Sequence, residues 1–579
     1  MWGYLIKHSD FFENPIPENP IDLILDVPKE ELIATIVSIN TRLKPLDSNH
    51  FDDSRETQIK CLRTLFLDND NPIHLSFCSA LINKYLHTPK NHNLFSRVTC
   101  LYAIQEIINN DGFVTKTPEY NYDNRERILR FLLIANEQIL TGDKNYENEG
   151  YKELGKDFFE FFMFRELHHN QYNECSNAVN IFYKSFFLFN KIEEHHLFGQ
   201  HFKNFITWFY KVESTKDFLK HVIWTFIKSY DEVLKMRYIN IPKDNVDAIK
   251  ILDSFSAKVE YEIPPKGDLR NFDFFPLKKS PLFKCKIKKD KDIISYIMYD
   301  EGFYIEKLYS IFINDFWFDY LKPNQICTRK DWGSFIGTNF YEPFIEDILE
   351  ESFSTHPNII LKSTNQLKFN IEGTEIEYAD FYIREKQNVA LFEVKSGFIP
   401  LDHGYKTVST IEEFKNLDIE KFNKDYGLSQ LAKKTLKKFH TYKSKIDDPE
   451  FNYQRKVQIY PIIMVNDPIV SSGIVPFVLK RKFNELLEKE KINRKNKEHN
   501  IKELIIINIS DLQEMEQSLK DNNVDFFGLL DLYLVISDQK NHVNHKNNNF
   551  LRTFNYALAM KIKDGLISNR IKNFEWLEN

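Results

Sequence analysis

The chain changes its apolar period part-way along. From about residue 20 to 260, apolar residues recur at helical spacing, as in 99-TCLYAIQEIINN-110, 127-RILRFLLIANEQIL-140 and 217-DFLKHVIWTFIKSYDEVLKM-236. Beyond about residue 280, short runs such as 281-PLFKCKI-287, 294-ISYIMYD-300, 366-QLKFNI-371, 376-IEYADFYI-383, 389-VALFEVK-395, 457-VQIYPIIMV-465 and 503-ELIIINI-509 read as strands with helices between them. A helix-only and a sheet-only fold are both excluded, and 579 residues exceed what one hydrophobic core organises. The expectation is a multidomain chain of class α plus α/β. An all-α region covers 1–265, a connecting β-hairpin and helix cover 266–330, and an α/β or α+β domain covers 331–579. The prolines and polar residues of 261-YEIPPKGDLRNFDFFPLKKSP-281 mark the first boundary.

Composition narrows the setting. Phe (51) and Tyr (28) outnumber Gly (17), which favours helices joined by short loops. A net charge of −7 exerts no global pull on nucleic acid, so any such binding must come from a local basic patch. The six cysteines stand singly without a CxxC pair, and the first residues lack a basic, apolar leader, so the expected setting is the cytoplasm. The run 158-FFEFFMFREL-167 is interrupted by Glu160, Arg165 and Glu166 and is too short to span a bilayer, so it reads as a core helix and no membrane association is expected.

The run 389-VALFEVKSGF-398 carries two opposite charges in an apolar strand. Alternation puts Glu393 and Lys395 on one face and Phe392 and Val394 on the other. The polar turn 384-REKQN-388 folds the preceding strand back antiparallel, which brings Asp380 beside Glu393. Desolvating two carboxylates and an ammonium costs several kcal/mol each unless something compensates. A divalent cation, Mg²⁺ or Mn²⁺, is the natural compensation, held by Asp380, Glu393 and the backbone carbonyl of Val394. Such a site hydrolyses phosphodiesters, with Lys395 orienting the attacking water.

These residues resemble the PD-(D/E)XK nuclease superfamily, the restriction-endonuclease-like fold. Its core is a helix, a β-hairpin carrying Asp and then Glu-x-Lys, a second helix and a further strand. The likeness covers about residues 331 to 510 and implies an α/β/α core. The first-helix glutamate of the family falls on Glu342 in 337-GTNFYEPFIEDIL-349, with Glu346 one turn away as the alternative. The family's helical Gln falls on Gln430 in 427-GLSQLAKKTLKKF-439, followed on the same helical face by Lys434 and by Lys437 or Lys438, a track for a nucleic-acid backbone. Ala379 stands where the family name has proline.

The resemblance implies an endonuclease cutting DNA, duplex above all, in prokaryotic defence. RNA or modified or branched DNA is the alternative substrate, and a non-catalytic platform that keeps the fold is the alternative of another class. Double-strand cleavage implies a homodimer or two successive nicks. A regulatory protein partner or a separate ATPase is expected, since no GxxxxGK[ST] loop occurs in the chain. A rival acid-x-Lys at Asp538 and Lys540 trails the apolar run 531-DLYLVIS-537, read as a strand, but no Asp-bearing strand or Gln helix brackets it.

Overall fold

The computed structural model describes residues 4–44, 51–66, 72–90, 92–114, 122–139, 154–170, 177–231, 236–256, 274–285, 292–371, 373–399, 403–406, 408, 410–452, 454–538 and 552–562. It is a mixed helix-and-sheet chain that divides into two compact units, Met1–Glu153 with Tyr172–Ile326, and Leu154–Gln171 with Cys327–Asn579.

In the first unit, amphipathic helices such as Lys29–Arg42, Arg97–Asn109 and Tyr122–Ile139 bury their apolar stripes in one core with Ile33, Leu101 and Leu132 fully buried. The region is not all-α. Strands β1 (Tyr4–Leu5) and β2 (His92–Asn93) pair in parallel, and β3 (Tyr230–Asp231), β4 (Met236–Pro242), β5 (Leu282–Lys284) and β6 (Ile293–Met298) form an antiparallel sheet in the order β3-β4-β6-β5. The helix expected over 217–236 stops at Lys228, and Met236 opens β4 instead. Its partner is distant: Ile239 pairs with Tyr296 and Tyr238 with Ile297, on the strand of the expected 281–300 hairpin. That hairpin forms, but as part of this unit's sheet, which removes the separate connecting segment expected over 266–330.

The second unit is built on a mixed sheet. Strands β7 (Ile359–Ser363), β10 (Phe381–Glu385) and β11 (Asn388–Lys395) run antiparallel to their neighbours, and β12 (Val457–Val465) adds in parallel to β11. β13 (His499–Ile501) and β14 (Ile505–Asn508) then pair with successive halves of β12. Between β7 and β10 the chain makes a separate hairpin, β8 (Lys368–Ile371) with β9 (Thr374–Glu377). The segment 376–383 is therefore not one strand but the end of β9, a break over Tyr378–Asp380, and the start of β10. β12 is apolar almost throughout and buried along its length, as expected of a central parallel strand.

Helices cover both faces. On one, Phe392 stacks on Phe526, which meets Phe353 edge to face. Phe526 belongs to the helix Phe526–Ile536, capped by Asp525, so 531-DLYLVIS-537 is helical rather than a strand. The start of this helix meets the sheet, Phe526 at Phe392 and Phe527 at Tyr460, while Tyr533 meets Phe554. The aromatic helix Phe158–Asn170 packs in this unit: Phe161 meets Phe414, and Phe164 meets Tyr405 and Phe422. Asp448, Arg384 and Tyr382 form a buried polar anchor, with Arg384 Nη2 donating to Asp448 Oδ1 at 2.6 Å and the Tyr382 hydroxyl to Oδ2 at 3.1 Å. It ties the loop after the Gln430 helix to β10.

Among the described residues no helix is long and apolar enough to cross a membrane.

Candidate active site

The hairpin supplies the centre. The turn at Lys386 and Gln387 sets the register Phe381 opposite Phe392, which places Asp380 and Glu393 together where the strands diverge. Beyond that last pair the Val394 N–H points toward β10 and donates to Asp380 Oδ2 at 2.5 Å in place of a strand carbonyl. The Val394 carbonyl projects from the same strand edge as its N–H, beside Asp380. The Lys395 carbonyl points the other way and accepts from the Asn466 N–H at 3.0 Å, which pins the end of β11 to β12.

Asp380 and Glu393 are 5% and 2% exposed. Burial, then the neighbouring Glu393 charge, then a hydrogen bond with Glu377 push the Asp380 carboxyl well above the usual carboxylate range, against the opposing pull of the Val394 N–H. Lys395 Nζ donates to Glu393 Oε1 at 2.7 Å and to Gln430 Oε1 at 3.4 Å. The lysine is therefore held between the hairpin and the following helix.

Two helices bring the outer residues. Thr328 caps the first with Asp331 in a capping box, and the chain runs through a π-helical segment, Phe335–Tyr341, into Glu342–Phe353. Thr338 Oγ1 donates to the Ser334 carbonyl within the π-helical segment. The two candidate glutamates, Glu342 and Glu346, part company. Glu342 lies in the field of Asp380, Glu377, Lys368 and Lys395 and hydrogen-bonds Thr364; burial first, then Glu377, raises its carboxyl above the ordinary value. Glu346 lines a cleft beside β7 instead.

The second helix begins at Leu428 after Gly427, whose φ is +75°. Gly427 has no room for a side chain, since a Cβ there would stand 2.6 Å from Glu393 Cγ and from Lys395 Cε. The following segment, Leu431–Leu436, is π-helical, with Lys437 N–H bonded to the Ala432 carbonyl five residues back. The expected shared face of Gln430 with Lys437 or Lys438 assumed an α-helical period, and the wider π turn breaks it. Lys437 Nζ donates to Glu490 at 2.8 Å, and Lys433 also faces Glu490. Lys438 Nζ lies 5.7 Å from the centre of the Tyr442 ring. The Lys434 side chain lies outside the described residues.

Three site residues escaped the reading of the sequence: Glu377, Thr364 and Gly427. In a straight strand Glu377 would face away from Asp380, and only the break over Tyr378–Asp380 turns the two together. Thr364 Oγ1 also donates to the Asp380 carbonyl at 3.1 Å. Gly427 carried a signal, being a glycine in a chain poor in them directly before a helix.

Among the described residues no group of three or more His, Cys, Asp or Glu side chains forms a ready-made metal cage. The fit is of another kind. Mg²⁺ takes one or two carboxylates and keeps several waters. The buried pair Asp380 and Glu393, with the Val394 carbonyl beside them, is such a partial set. The neighbourhood holds four carboxylates, Glu342, Glu377, Asp380 and Glu393, against the ammoniums of Lys368 and Lys395. That excess of negative charge away from water favours a cation. No family model, curated protein or solved structure matches the chain.

Proposed function

We propose that the second unit is a divalent-metal-dependent endonuclease of the PD-(D/E)XK kind that hydrolyses phosphodiester bonds of DNA. The observation that supports this reading is the meeting of Asp380, Glu393, Lys395 and Gln430 from a hairpin and the helix after it, in the order helix, hairpin, helix, strand. Asp380, Glu393 and the Val394 carbonyl would hold Mg²⁺ or Mn²⁺. When bound, the ion supplies Lewis acidity and neutralises charge at the phosphate.

The protein groups do the rest. Lys395, fixed between Glu393 and Gln430, orients the attacking water and offsets the negative charge that builds on the phosphate oxygens. Glu342 borders the same space and accepts a hydrogen bond from water there. In the reaction the water oxygen bonds to phosphorus as the ester P–O bond breaks, and the leaving oxygen takes up a proton. The helical first unit selects the target or receives a regulatory partner, and the biological role that fits this pairing is attack on foreign DNA.

The test is cleavage of labelled circular duplex DNA, single-stranded DNA and RNA by the full chain with Mg²⁺, Mn²⁺ or EDTA, beside Asp380→Ala and Lys395→Ala. Metal-dependent cutting of DNA that both substitutions abolish is the expected result. Cutting of RNA alone would change the substrate, and cutting that survives both substitutions would remove the site.

A further inference from the structure

β7 ends the mixed sheet: its inner side is laddered to β10, and no strand pairs its outer side among the described residues. Two amides on that outer side are already satisfied, Ile359 N–H by the His356 carbonyl at 3.1 Å and Ser363 N–H by Gln366 Oε1 at 3.2 Å. These bonds fix the pleat. Residues 359, 361 and 363 turn their backbone groups outward, so the Leu361 N–H and C=O project off the edge without a partner among the described residues. Beside this edge runs a cleft whose walls are Glu346, Glu350 and Phe353 from one helix and Ile359, Leu361 and Ser363 from β7.

We propose that this edge docks an extended, basic segment of a partner protein by strand addition. The outward N–H and C=O of Leu361 call for an extended backbone, the mode in which main-chain bonds give affinity and alternate side chains give specificity. Glu346 and Glu350 are one helical turn apart, about 6 Å along the helix, which matches the roughly 6.6 Å between alternate residues of a strand. Lys or Arg at two alternate positions would each meet one carboxylate, with their stems over Phe353 and Leu361. A second copy of this chain is a poor occupant. Two such edges together would set the Glu346 and Glu350 pairs against each other, and Lys362 lies on the other face of the sheet by strand alternation. The inference is independent of the proposed nuclease activity.

The experiment uses the full chain and a fluorescent peptide of alternating Lys and Val. Two control peptides replace every Lys by Glu, or carry N-methyl groups on alternate amides. The Lys-Val peptide is expected to bind at least about tenfold more tightly than either control. Glu346→Gln with Glu350→Gln is expected to weaken it by about as much, and the peptide should slow hydrogen exchange of the Leu361 amide in the unsubstituted protein. Equal binding of all three peptides, no binding, or unchanged exchange at Leu361 would overturn the proposal. So would a concentration-dependent dimer, seen by sedimentation, that protects the same amide without peptide.

Discussion

A Cβ on Gly427 would stand 2.6 Å from Glu393 Cγ, closer than real Cβ atoms come to any neighbour. The same atom would press on Lys395 Cε, and the backbone there has φ +75°. Gly427→Ala is expected to destabilise the protein by about 1–3 kcal/mol and, on the proposed function, to cut cleavage at least tenfold, because it displaces the pair proposed as the reacting centre. Gly373→Ala is the control. Its φ is +80° with open space around it, so only about 1 kcal/mol of backbone strain is expected, with cleavage retained.

Asp380 ties stability to pH. Its folded carboxyl titrates above the unfolded one, so below the unfolded value both states are protonated and the contribution is full, and it is lost as pH rises through the folded value. In EDTA, urea denaturation across the range from about pH 4 upward should show the protein losing stability relative to Asp380→Asn, whose neutral amide does not titrate. A parallel pH profile for the two proteins would contradict the arrangement of Asp380 against Glu393.

The bidentate pair of Arg384 and Asp448 is buried. Removing one partner strands the other, so Arg384→Met alone is expected to cost about 3–5 kcal/mol in urea denaturation. The double variant Arg384→Met, Asp448→Leu should recover most of that loss.

Glu342 and Lys437 were both expected at the site, and the structure separates them. Glu342→Gln should lower kcat for DNA cleavage by about ten- to hundredfold. Lys437→Ala should change neither kcat nor KM by more than about twofold, since this half-exposed lysine is engaged with Glu490.

Phe164 is completely buried among Tyr405, Phe414 and Phe422, rings that lie far along the chain. Phe164→Ala should destabilise the second unit by about 3–5 kcal/mol, read by hydrogen exchange of β11 and β12. A fragment starting at Cys327 should show the same loss, because it lacks this helix.

The sequence alone determined the local constellation. A period of two with a polar turn is enough to set Asp380, Glu393 and Lys395 together, and the glutamine of the next helix was legible only through the family resemblance. These relationships act over a few residues, where alternation and turn chemistry leave little freedom. The tertiary structure decided whatever depended on a distant partner. β4 became a strand because β6, more than fifty residues on, offered an edge. The 531–537 run became the end of a helix that starts at Phe526 under the Asp525 cap, with Tyr533 packed on Phe554. The π turn after Gln430 redirected Lys437 to Glu490, and the break before Asp380 delivered Glu377. Packing chose Glu342 over Glu346, two glutamates that helical periodicity leaves equivalent, because only their surroundings differ.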